Sequence, residues 1–348
     1  MKLLVIRFSA FGDIAMTVPV IDTLARQYPQ LEITVLTRQF VRPLFERMPS
    51  NVNFRGVDLN SYKGLGGLWR LFFELKKEGY DAVADLHDVL RGKVLRTLFS
   101  LYGAKTAYID KGRKEKRSII KENKLPIKNL HTSFSRYEAV FAKLGFPVKS
   151  VFSSIYGKGR SDFSLFKDFV ETVPQDKFWI GIAPFAAHKG KILPLKTTED
   201  LISRLSQRGD CHLFLFGGGE YEISQLESWA SSYSNVTSLA GKLKLNQELA
   251  LMNHLSVMVS MDSANMHLAS LVAVPVISVW GATHPCMGFM GWNQDVNNAV
   301  QVDLPCRPCS VFGNKPCRRG DYACLTGIQV EEIIRKIDGI IIKRSENL

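Results

Sequence analysis

The chain opens Lys2-Leu3-Leu4-Val5-Ile6-Arg7-Phe8-Ser9-Ala10-Phe11-Gly12-Asp13-Ile14. An apolar run suited to a buried strand passes through small residues to an acid where a helix begins. Strand, tight turn and helix in this order are the first half of a βαβ unit. An acid in that turn faces whatever lies over the carboxyl edge of a parallel sheet, the place where open α/β sheets take their ligands. A second turn of this kind lies near Asp262.

Strand and helix signals alternate along the rest of the chain, the pattern of doubly wound parallel sheets. Strands are predicted at 2–7, 31–36, 82–84 and 104–109. Helices are predicted at 14–27 with Asp13 as N-cap, 65–77, 89–101 and 133–144. Residues 146–178 read as a connector with Pro147 and Pro174. The alternation then restarts, with strands at 179–183, 211–216, 257–260 and 275–280. Helices follow at 197–208, 220–232, 263–272 and 329–342. The predicted organisation is an α/β chain of two Rossmann-like doubly wound domains, 1–150 and 175–348. The last helix is expected to pack back on the N-terminal domain. Two such domains facing a cleft form the GT-B architecture, shared by glycosyltransferases and some nucleotide-sugar epimerases.

The chain has 348 residues, of which 46% are hydrophobic, enough for two cores of ordinary size. No apolar run reaches the roughly 20 residues of a membrane helix. Arg7 and Asp13 interrupt the N-terminal apolar stretch, which therefore reads as a strand and not as a signal peptide. A cytoplasmic location is expected. The formal charge is +12, and eight cations crowd into residues 111–128: Lys111, Arg113, Lys114, Lys116, Arg117, Lys121, Lys124 and Lys128. This run is either a solvated loop or an electrostatic contact with an anionic surface. It holds no aromatic residue, which weighs against base stacking and hence against nucleic acid.

At Asp13 local chemistry offers two roles, a helix cap or a general base for a sugar hydroxyl, and on its own it favours the cap. Near Asp262 the run is Met261-Asp262-Ser263-Ala264-Asn265-Met266-His267-Leu268. A helix starting there presents free N–H groups that suit a phosphate. Ser263 adds a hydroxyl and Asp262 an acceptor for sugar hydroxyls. His267 taken alone reads as a helix-packing histidine. Lys191, with Lys189 as its neighbour, offers a cation for a departing diphosphate. The Gly217-Gly218-Gly219 turn is followed by Glu220 and Glu222, either of which suits ribose hydroxyls. No Asp-x-Asp pair occurs, which fits chemistry that needs no metal or other cofactor. Cys306, Cys309, Cys317 and Cys324 lie within nineteen residues. Their spacing divides evenly between a structural zinc site and reduced thiols packing a loop. Arg307, Arg318 and Arg319 among them read as solvated.

Ser9-Ala10-Phe11-Gly12-Asp13-Ile14 with Pro19 downstream resembles the N-terminal signature of glycosyltransferase family 9, the ADP-heptose:lipopolysaccharide heptosyltransferases. The Asp262 segment resembles that family's Asp-Ser/Thr-Gly-x-x-His-Leu element, with Ala264 in place of the glycine. Gly281-Ala282-Thr283-His284-Pro285 resembles its Gly-x-Thr-x-Pro loop. Lys191-Ile192-Leu193-Pro194 resembles its Lys-x-Trp-Pro element, with Leu193 in place of the tryptophan.

The resemblance implies an inverting, metal-independent transferase that moves a heptose from ADP-heptose to a lipopolysaccharide core precursor. It implies Asp13 as the catalytic base, with Ser9 and Gly12 on the acceptor side. Lys191, Glu220, Glu222, Asp262, Ser263, Ala264, His267 and Thr283 form the implied donor set. The implied partners are an ADP-sugar and a lipid-anchored oligosaccharide. An anionic membrane surface is expected to meet residues 111–128 at the inner face of the cytoplasmic membrane. The alternatives are an epimerase of the same architecture and a basic nucleic-acid-binding protein.

Overall fold

Leu3, Leu4, Val5 and Ile6 expose no surface, as befits a central strand covered on both faces. A computed structural model describes residues 1–122 and 128–346. In its first half β1 (Lys2–Ile6) leads to α1 (Phe11–Ala15) and α2 (Val18–Gln27), then β2 (Glu32–Arg38) and β3 (Val52–Val57). Next come α3 (Gly64–Lys76), β4 (Ala82–Asp85), α4 (Leu90–Leu101), β5 (Lys105–Tyr108), α5 (Arg113–Glu122) and α6 (Ser133–Leu144). Every strand pair is parallel, in the order β3-β2-β1-β4-β5. The order reverses between β1 and β4, so the turn after β1 opens at the switch point where such sheets take ligands.

The second half runs β6 (Phe178–Ala183), α7 (Leu195–Ser206), β7 (Cys211–Leu215), α8 (Glu220–Ala230), β8 (Val236–Ser238) and α9 (Leu245–Met252). It continues with β9 (Val257–Met261), α10 (Ala264–Leu271), β10 (Val276–Trp280), β11 (Ala299–Gln301), α11 (Ala323–Thr326) and α12 (Val330–Ser345). This sheet is also all-parallel, ordered β11-β10-β9-β6-β7-β8. Its switch point lies between β6 and β9, so the loop holding Lys191 and the turn holding Asp262 leave neighbouring strands.

The chain divides into one unit of Met1–Gly112 with His131–Ile155, and another of Arg113–Leu130 with Tyr156–Leu348. Part of the basic stretch is therefore a helix, α5, counted with the second unit. Lys116 is buried there with its ammonium 4.0 Å from the Phe289 ring centroid, so it is not a solvated charge. Lys124 lies outside the described residues. Ile333, Ile337 and Ile341 of α12 pack in the second unit's core with Leu201, Leu205 and Val259.

The expected helix over 14–27 is two helices, with Thr17 as N-cap of the second. Pro19 has no N–H to give to residue 15, and its ring crowds that carbonyl. The short or edge strands β3, β8 and β11 had no predicted counterpart. The burial of β3 alternates between exposed and half-buried, and an edge strand of that kind carries no apolar run to read.

Replacing Ile337 by Ala should cost the second unit about 3 kcal/mol through lost burial and a residual cavity. Urea denaturation followed by circular dichroism should show this as a lower midpoint at unchanged slope.

Candidate functional site

In the first unit β1 ends at Ile6, and the turn to α1 carries Arg7, Phe8, Ser9 and Ala10. Asp13 is the third residue of α1 and not its cap; the N-cap is Ala10. The Asp13 Oδ2 atom accepts a hydrogen bond from the Ala10 N–H at 3.2 Å. It also meets the Arg7 guanidinium at 2.7 Å. The carboxylate remains 32% exposed, while Arg7 is buried. Arg7 further donates to the Leu86 carbonyl. Burial works against the Arg7 charge, but the Asp13 carboxylate hydrogen-bonded to it favours the charge, and the pKa is raised. Tyr137, buried in α6, donates its hydroxyl to the Asp13 carbonyl at 3.2 Å. Burial pushes that phenol's pKa up, so it stays neutral.

Across the switch point, the loop after β4 contributes His87. Its Nδ1 accepts from the Phe8 N–H at 3.4 Å, which places the ring proton on Nε2, 3.1 Å from the Ser9 hydroxyl. Burial, with Arg7 and Lys111 nearby, lowers the His87 pKa to about 3. This loop is braced by Asp85, which has no exposed surface. Asp85 Oδ1 accepts from the His87 and Asp88 N–H groups, and Oδ2 pairs with Arg96 at 2.9 Å. A Cβ at Gly92 would stand 2.7 Å from both Asp85 oxygens, so a side chain there would push the carboxylate off its donors.

In the second unit, Asp262 closes the turn after β9 and is buried. Its Oδ2 atom accepts from Lys191 Nζ at 2.8 Å and from Thr283 Oγ1 at 2.7 Å. Three candidates from the loops after β6, β9 and β10 thus converge on one oxygen. Lys189 points elsewhere, with its ammonium 5.1 Å from the Tyr322 ring. Ser263 is the N-cap of α10 but makes no side-chain cap, so the first N–H groups of α10 are not closed by it. Its hydroxyl instead sits 3.3 Å from that of Ser260. Ala264 is the first helical residue, and His267 is buried one turn later.

Gly219 caps α8 at φ +89, a conformation suited to glycine. Glu222 Oε2 accepts from the Gly218 N–H at 2.8 Å and is thereby folded onto the turn, whereas Glu220 is exposed. Glu248 of α9 was not singled out by sequence. Burial pushes its carboxyl up to about 7, and no motif or spacing marks it.

Arg307 is not solvated. Its buried guanidinium donates to the carbonyls of Gly281, Trp280, Thr283 and Val302 and fixes the loop that carries Thr283. The Cys309 and Ser310 N–H groups both donate to the Ala282 carbonyl, and the Ala282 N–H donates to Gly190. The cysteine-rich segment therefore braces the Lys191 and Thr283 loops. The zinc expectation is not supported: among the described residues no three His, Cys, Asp or Glu side chains are placed to hold a metal ion. Cys324 packs in the second core, and Cys317 Sγ lies 4.0 Å from Asp321. The described thiols are free.

The two all-parallel Rossmann-type sheets have the GT-B fold. The chain belongs to glycosyltransferase family 9, the heptosyltransferases, whose family model matches residues 68–318. The chain is similar to lipopolysaccharide heptosyltransferase 3 of Escherichia coli, 26% identical over 306 residues that cover 83% of this chain and 84% of that one. The structure of E. coli ADP-heptose lipopolysaccharide heptosyltransferase II shares its fold, with a TM-score of 0.73 at 18% identity, covering 99% of this chain and 100% of the other. E. coli heptosyltransferase WaaC, solved with ADP, superposes with a TM-score of 0.65 at 18% identity, covering 98% and 100%. Family membership sets aside the epimerase and nucleic-acid-binding alternatives. The matched segment begins after Asp13 and includes Lys191, Asp262 and Thr283.

His87, and likewise His212 and His284 with pKa values lowered by burial to about 4, stay neutral in the folded chain. The unfolded chain binds protons at these rings below about pH 6.5. Their contribution is therefore complete above pH 6.5 and is lost progressively as pH falls toward 4 and below. His87→Gln should flatten this acid limb, measured as the difference in urea midpoint between pH 7.5 and 4.5.

Proposed function

We propose that this chain transfers a heptose from ADP-heptose to a lipopolysaccharide core precursor, inverting the anomeric centre and using no metal. The convergence of Lys191, Asp262 and Thr283 beside the N-terminus of α10 carries this reading. A buried carboxylate fixes the lysine, and the lysine has further donors for a diphosphate. The amides of Ser263 and Ala264 supply the anion-binding helix terminus, and His267 packs the turn behind them. Together these groups offset the charge that develops on departing ADP. Glu220 is the better candidate for the ribose hydroxyls, because Glu222 is engaged by Gly218. The names of the relatives, and the ADP in the WaaC structure, support ADP-heptose as donor.

Asp13 is the proposed base. Its carboxylate takes the proton of the acceptor hydroxyl as that oxygen attacks the anomeric carbon from the face opposite ADP. Arg7 holds the carboxylate in one orientation. Ser9, fixed by His87, and Gly12 flank the acceptor. The acceptor is lipid-anchored in this reading, and the enzyme works in the cytoplasm. No helix among the described residues is long and apolar enough to cross a membrane. The exposed cations of residues 111–128 would attract anionic lipid.

Asp13→Asn should reduce transfer about 10²- to 10⁴-fold, with the affinity for ADP unchanged within about twofold. Turnover with ADP-heptose and titration calorimetry with ADP measure the two quantities, and near-normal turnover would end the base assignment. Lys191→Met should weaken ADP about tenfold or more, as expected for loss of a charge-assisted contact of roughly 1.5–3 kcal/mol. Calorimetry with ADP-, UDP- and GDP-sugars tests the donor, and tighter binding of a UDP- or GDP-sugar overturns it.

A further inference from the structure

Helix α3 is apolar on two faces. Leu68, Leu71, Phe72 and Leu75 recur at helical spacing and are buried in the first unit's core. That face accounts for the folding of the helix. Leu65, Trp69 and Phe73 recur every four residues on another face and stay 66%, 44% and 48% exposed. The Trp69 and Phe73 rings lie together, with centroids 5.7 Å apart. Helix α4 packs beside α3, and the exposed Tyr102 at its C-terminal end adjoins the patch. Tyr102 reaches the Phe72 ring at 5.3 Å. Exposed apolar and aromatic side chains grouped in this way mark an interaction site.

The charges around the patch select its partner. Lys63, Arg70, Lys76 and Lys77 lie on or beside α3, and Lys76 Nζ sits 3.5 Å from the Tyr102 ring centroid. Arg91 adds a cation from α4, whereas Arg96 of that helix is engaged by Asp85 and Asp88 and Lys93 lies 3.9 Å from Asp88. The acid of α3, Glu74, is engaged by the Tyr62 hydroxyl at 2.7 Å and by Arg55 at 3.6 Å. Apolar and aromatic side chains ringed by cations complement an anionic lipid interface, where rings enter the headgroup boundary and ammonium groups stay at the phosphates. A helix of 13 residues is about 20 Å long, too short to cross a bilayer, so it must lie in the interface plane.

We propose that the α3–α4 face of the first unit is an anchor that inserts Leu65, Trp69 and Phe73 into an anionic membrane surface. It is distinct from the basic run at 111–128, whose described residues offer attraction and include no exposed large apolar side chain. This inference does not depend on the proposed heptose transfer.

The test is co-sedimentation of the full chain with phosphatidylethanolamine–phosphatidylglycerol vesicles and with pure phosphatidylcholine vesicles. Wild type should bind the anionic vesicles at least about tenfold better. The Trp69→Ser/Phe73→Ser double variant should lose about tenfold or more in partitioning even at low salt. Lys76→Glu/Lys77→Glu should lose the preference for anionic lipid. ADP affinity, measured on each variant, should stay at the wild-type value and report a folded second unit; circular dichroism reports the first. Equal binding by wild type and the double variant overturns the proposal. So does binding lost only on charge reversal within residues 113–121. A dimer that the double variant dissociates, with no vesicle binding by wild type, assigns the face to a second copy and also overturns it.

Discussion

The buried Asp262 carboxylate needs donors for its oxygens, and Lys191 and Thr283 supply them from two other loops. Removing either partner leaves a buried charge under-satisfied, which is far costlier than losing a surface pair. The loops after β6, β9 and β10 are therefore tied to one oxygen atom. Arg307 extends the constraint by binding the carbonyls of the Thr283 loop, and the segment that follows it binds Ala282. What reads as a cysteine cluster in one dimension is a brace in three.

The first unit repeats the device with different parts. There the acid is Asp13, its cation is Arg7 from the end of the same strand, and the neighbouring loop is fixed by Asp85 and Arg96. Asp13 differs from Asp262 in staying partly exposed, which suits a group that exchanges a proton with a substrate. Asp262 is sealed, which suits a group that orients a lysine. Both acids sit at the reversal of strand order, where the diverging helices leave the carboxyl edge of the sheet open.

The fold was legible wherever one element carried its own signal. The runs at β1, β7 and β10 are mostly apolar because those strands are covered on both faces. The helices α3, α4 and α6 have the 3.6-residue period of a one-sided core contact. Elements without such a signal were missed: the edge strand β3, the three-residue strands β8 and β11, and the short α9. The amphipathic pattern of α5 was hidden in a run read as charge alone. The candidate site was legible as a set of residues in the two turns, through the family motifs. Its wiring was not. Nothing local distinguishes Glu220 from Glu222, and only the bond from Gly218 to Glu222 separates them.

The alternation of the main strands and helices, the acids at the two turns and the family motifs were determined by the sequence alone, because periodicity, turn chemistry and motif spacing act within a few residues. Tertiary structure decided which groups meet. Lys191, Asp262 and Thr283 are brought to one point by the parallel pairing of strands far apart in the chain. The same long-range packing buried Arg307, drew Cys324 into the second core, placed α12 there as well and left one apolar face of α3 in water. Each outcome depends on neighbours supplied by distant segments, and a local pattern carries no record of them.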